Sequence, residues 1–201
     1  VNQILIRVGG AAGMSLLTMM ATTAMAHSGS LATGSFAGFE AGIMHPYGGL
    51  DHMLLAFGLG LLFSRDIKFG GLWGAVVLIA MLIVGFIAGI SFEFTSVFIE
   101  IGIMASVVIT AALLFQSKRF MLLTIAGGLA VFHGIAHGME IPTNASAIGF
   151  MAGMVTAMTI LYIVGYGFGQ IILQNLPAAL QRHHWIEKAL AVIGVSALLL
   201  S

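Results

Sequence analysis

Six long apolar runs constrain this chain more than any other feature, at approximately 36 to 64, 70 to 91, 96 to 116, 119 to 138, 145 to 169 and 186 to 201. All but the last reach the roughly 20 residues that cross the hydrocarbon of a bilayer at about 1.5 Å per residue. Backbone N–H and C=O groups in lipid must be bonded within the segment, and these runs are continuous where barrel strands would alternate, so helices are expected. The expected fold class is all-α, a polytopic transmembrane helical bundle of six spans.

Composition excludes the soluble alternative. Charged residues are 7% of the chain and apolar residues 60%, whereas a soluble domain carries about 25% charge. Lipid is therefore the expected surrounding, and a net charge of zero leaves no basic footprint for nucleic acid. Cysteine is absent. Disulfides and thiolate ligands are excluded with it, so any bound metal must be held by imidazole and oxygen.

The N-terminus has its own pattern. Arg7 precedes an apolar segment of small residues, Val8 to about Thr23, and Ala24-Met25-Ala26 follows, which is the order of a secretory signal. The expected organisation is a signal peptide over 1–26, removed to leave His27 first, and a six-helix transmembrane domain over 27–201. A retained segment would add a seventh helix. With the mature N-terminus outside, the loops carrying Arg65 and Lys68, then Lys118 and Arg119, then Arg182 face the cytoplasm, as the excess of cytoplasmic Lys and Arg requires. Three spans precede Lys118 and three follow, and each half opens on a His/acid cluster broken by Gly or Pro. The halves are thus candidates for an inverted 3+3 repeat with a site near the bilayer midplane.

Those clusters are the chemistry-bearing residues. An ionised carboxylate at the bilayer centre costs at least about 2.5 to 3.5 kcal/mol, and histidine, not Lys or Arg, is what lies near these acids in sequence. In FHGIAHGME, His133, His137 and Glu140 share one helical face, within roughly 60 degrees at about 100 degrees per residue. Gly134 and Gly138 bare the backbone there for a neighbouring helix, and Pro142 marks the end. In HPYGGLDH, His45, Asp51 and His52 accompany Pro46, Gly48 and Gly49. A residue before proline resists helical geometry, so the first span is expected to break or kink near His45. The plain alternatives are interhelical hydrogen bonding for the first set and a surface turn for the second.

Other polar residues carry weaker signals. Glu100 is isolated in the third span, as a ligand, a charge compensator or a protonated acid. Glu40 reads as a water-facing group at the outer mouth, and His183 and His184 as a solvated cytoplasmic face. His27, if it is the first residue, offers an amine and an imidazole at the entrance. The 13 methionines mostly fill space, and Asn144-Ala145-Ser146 matches a glycosylation triplet by chance.

Imidazole with carboxylate and no thiolate suits Ni(II), Co(II), Zn(II) or Cu(II) over Mg or Ca. His45, Asp51 and His52 in HPYGGLDH, together with FHGIAHGME, resemble the two signature motifs of the HupE/UreJ family of bacterial nickel or cobalt permeases. The likeness extends to the signal-like N-terminus, the six later spans and Glu100 followed by Gly102, and so covers nearly the whole chain. The resemblance implies secondary uptake of Ni(II) or Co(II) across the bacterial inner membrane, with no prosthetic group. No GxxxxGK[ST] loop is present, so ATP hydrolysis by this chain is not expected. The metal candidates are His45, Asp51, His52, His133, His137, Glu140, Glu100 and His27, with no catalytic residue. Two other classes stay open: an intramembrane metal enzyme, whose HExxH signal is missing because Gly134 follows His133, and a metal-binding sensor or accessory protein.

Overall fold

A broken helix lying alongside an unbroken one, both running the same way, organises the molecule. In the computed structural model the described residues are 35–65, 70–113, 115, 119–143, 145–175 and 185–200, all within one unit, Thr33–Ser201. The signal-like segment, His27, Asp66, Lys68, Lys118, Asn144, Arg182, His183 and His184 lie outside them. Seven helices are described: α1 Ser35–Gly48, α2 Leu50–Phe63, α3 Gly70–Ser91, α4 Ser96–Leu113, α5 Arg119–Met139, α6 Ala147–Asn175 and α7 Trp185–Leu200. No strand occurs among the described residues. Within α3, α4 and α6, the segments Gly71–Ser91, Ser96–Leu113 and Ala147–Asn175 are long and apolar enough to cross a membrane.

The first apolar run is α1 and α2 in tandem. The break falls at Gly49, which caps α2 in an extended conformation, φ −119° and ψ 123°. Pro46 stays inside α1, so the interruption comes four residues later than the His-Pro pair suggests. The reason is crowding. A Cβ on Gly49 would stand 2.5 Å from Nδ1 of His52 and 2.6 Å from Oδ1 of Asp51, so a side chain there would displace both groups from the places they take over the break.

Lipid tails are as apolar as leucine, so helix association in a membrane depends on close packing rather than on hydrophobic gain. Glycines spaced four apart provide it. A methyl on Gly38 or Gly42 would meet α6 backbone near Ser146 and Phe150, and one on Gly149 or Gly153 would meet Ser35 and Phe39. Partners advance together in number, so α1 and α6 are parallel. The second pair repeats this: Gly85 and Gly89 of α3 abut the Val131 and Ile135 carbonyls, while Gly134 and Gly138 of α5 abut those of Leu82 and Phe86.

Farther along, Gly60 of α2 meets Tyr162 and Tyr166, as Gly42 met Phe150 and Met154. Eighteen positions of the α1–α2 run therefore lie beside twelve of α6, and the surplus around the break carries His45, Asp51 and His52. Beyond it, Leu55, Leu59, Phe63, Leu82, Met158 and Tyr162 form a closed apolar core. Tyr162 donates to the Gly71 carbonyl at 3.1 Å, and Gln170 donates to the Ser64 carbonyl at 2.5 Å, satisfying an orphan acceptor past the end of α2.

Candidate metal centre

Both sequence clusters meet. His45 projects from the last turn of α1, Asp51 and His52 from the first turn of α2, and His133 and His137 from the last two turns of α5. Glu140 follows directly, its N–H donating to the Ala136 carbonyl at 3.1 Å. The close α3–α5 packing at Gly134 and Gly138 puts the neighbouring backbone on the glycine side, and the imidazoles of His133 and His137 meet those of His45 and His52 at the α1–α2 break.

His52 Nδ1 lies 2.9 Å from Asp51 Oδ2, His133 Nε2 lies 3.7 Å from that oxygen, and His45 Nε2 lies 3.5 Å from Glu140 Oε2. The rings interlock: centroids are 4.7 Å apart for His45–His137, 4.7 Å for His52–His137, 5.0 Å for His52–His133 and 5.5 Å for His45–His52. Two sets of potential ligand atoms result, each mutually within 4.8 Å: His45, His52 and His137, and then Asp51, His52 and His133. His52 belongs to both.

Exposure falls across the cluster, from 59% at Glu140 and 30% at His45 to zero at His133. Burial leaves ring nitrogens unsatisfied. Neither nitrogen of His137 or of His52 has a hydrogen-bond partner, nor does Nε2 of His133. Leaving such a group unmade costs about 1–3 kcal/mol, so several together in one place call for an explanation. A cation accepting these lone pairs is one, because neutral imidazole is a common metal ligand.

Two contributions escaped the sequence analysis. Phe150 of α6 forms an aromatic wall, with centroids 5.5 Å from His45 and 6.4 Å from His137. Ser106 of α4, fully buried, reaches His133 Nδ1 at 3.4 Å. Its signal was the stripe Gly102, Ser106 and Thr110, spaced four apart on the buried side of α4. Glu100 is not brought to the cluster; it is exposed, on a different side of that helix. Glu40 is likewise exposed, as a mouth residue would be.

Apolar helices enclosing buried imidazoles and a carboxylate define a helical membrane protein with a candidate metal centre. The chain belongs to the HupE/UreJ family, whose model, described as HupE / UreJ protein, matches residues 15–197. It is similar to "Protein HupE" of Rhizobium leguminosarum bv. viciae, 32% identical over 154 residues that make up 74% of this chain and 76% of that protein. No solved structure matches.

Proposed function

We propose that this protein is a secondary transporter that imports Ni(II) or Co(II) across the bacterial inner membrane. One observation carries the reading: two triads of ligand atoms share the buried His52, beside ring nitrogens that nothing else satisfies. Zn(II) and Cu(II) suit the same ligands, and the choice of Ni(II) or Co(II) rests on the family resemblance.

The ion enters past Glu140 and His45, the most exposed members of the set, with His27 as a first contact at the mature N-terminus. It sheds water to His45, His52 and His137, then exchanges two of these for Asp51 and His133 while keeping His52. Asp51 and Glu140 offset the two charges of the cation, which lowers its cost in a medium of low dielectric. Glu100 serves as a compensating acid rather than a ligand. The signal segment is removed, both ends of the mature chain face the periplasm, and the basic loops face the cytoplasm.

A divalent cation moving down 100 mV, negative inside, gains about 4.6 kcal/mol, at roughly 2.3 per charge. That equals roughly a thousandfold accumulation at about 1.4 kcal/mol per factor of ten, so potential alone suffices. The two parallel glycine-packed units, α1/α2 with α6 and α3 with α5, support movement of one against the other around the ion. They correspond under exchange of the two halves, and Gly38-Gly42-Pro46 recurs in spacing as Gly134-Gly138-Pro142, which supports the inverted 3+3 repeat.

Reconstitution of the purified chain in vesicles tests this. Accumulation of radioactive nickel or cobalt that grows with an inside-negative potential is expected. Binding without accumulation would instead identify a sensor or accessory protein.

A further inference from the structure

α4 supplies one polar atom to the cluster, and its hydrogen-bond arithmetic has a consequence for His133. The Ser106 hydroxyl donates to the Ile103 carbonyl at 2.6 Å. Its distance to His133 Nδ1 is 3.4 Å, and a hydroxyl has one proton to give. With that proton committed to the shorter bond, Ser106 can offer Nδ1 only a lone pair. A neutral imidazole whose Nδ1 faces an acceptor, and whose Nε2 has no hydrogen-bond partner, carries its proton on Nδ1. Its lone pair is then on Nε2, the atom 3.7 Å from Asp51 Oδ2 and without a hydrogen-bond partner.

We infer that Ser106 is a positioning residue that holds His133 as the Nδ1–H tautomer and so keeps the Nε2 lone pair aimed at an ion shared with Asp51 and His52. The opposite tautomer would point an N–H at the ion and could not ligate it. The consequence for transport rests on the carrier reading above; the tautomer itself does not. Groups that fix the second nitrogen of a ligating histidine typically alter metal affinity by about 10–100-fold. The lower end applies here, because the Ser106 contact is long, at 3.4 Å.

The test uses the full-length protein, metal-free and labelled with 15N-histidine, with His133→Ala identifying the His133 signals. Wild type is expected to show His133 protonated at Nδ1. Ser106→Ala is expected to introduce the Nε2–H form and to raise KM for nickel about tenfold with the maximal rate little changed, while Ser106→Thr, which keeps the hydroxyl, restores both readings. An Nε2–H tautomer in wild type overturns the inference, as does a Ser106→Ala protein that matches wild type in tautomer and in KM. If wild-type vesicles accumulate no metal, the carrier reading fails while the tautomer result still decides the role of Ser106.

Discussion

Asp51 Oδ2 stands 2.9 Å from Nδ1 of His52, its sequence neighbour, and 3.7 Å from Nε2 of His133, which comes from another helix. One carboxylate therefore serves two imidazoles. That 2.9 Å is an ion-pair distance without hydrogen-bond geometry, so both ring nitrogens of His52 are buried with no hydrogen-bond partner beside a carboxylate that can offset the charge of a cation. The position of Asp51 in the first turn of α2 also lets the helix N-terminus stabilise the negative charge.

Asp51→Asn tests that double role, since asparagine keeps the shape and an acceptor oxygen but loses the charge. Nickel affinity measured by calorimetry on detergent-solubilised protein is expected to fall about 10–100-fold. The helical circular dichroism should be unchanged. Affinity equal to wild type would remove Asp51 from the centre.

His137→Phe separates function from stability. Both ring nitrogens of His137 are buried without a partner, a burden of about 1–3 kcal/mol for each unmade bond. The metal-free variant is expected to melt no lower than wild type in a thermal-shift measurement, yet to bind nickel at least tenfold more weakly. A marked drop in melting temperature would mean the imidazole is a structural bond-former.

Two adjacent glycines give a paired control. A Cβ on Gly49 meets the site side chains, whereas one on Gly48 meets nothing within 4 Å. Gly49→Ala is expected to abolish nickel uptake in vesicles and Gly48→Ala to leave it near the wild-type rate. Equal behaviour of the two would contradict the folded-back arrangement over the break.

The α3–α5 contact should be sensitive to bulk. Gly134→Val places a branched side chain against the Leu82 carbonyl and Gly85, and overpacking of this kind costs about 1–3 kcal/mol or more. Gly128→Ala, with open space around it, is the control. Thermal melting in detergent should separate them by several degrees.

The helical class was legible because lipid permits little else, and long apolar runs announce it. The His/acid clusters were legible for the converse reason: imidazoles and carboxylates are costly in hydrocarbon, so His45, Asp51, His133 and His137 stood out against their neighbours. Partnering was not legible. Gly134 and Gly138 signalled a close neighbour but could not name α3, because glycines at the same spacing occur in α1, α3 and α6 as well. The break near His45 was legible from Pro46 and the paired glycines, and it falls at Gly49, where the side chains of Asp51 and His52 lie against the backbone. Glu100 drew notice through its charge, while Ser106, a small hydroxyl that bonds its own helix backbone at Ile103, drew none and yet reaches His133.

His52 belongs to both ligand triads, so its removal tests the shared centre most directly. The measurement is accumulation of radioactive nickel or cobalt by vesicles containing His52→Ala, under an inside-negative potential and at matched protein content. Accumulation no greater than in protein-free vesicles is expected, while accumulation at the wild-type rate would contradict a centre built on His52.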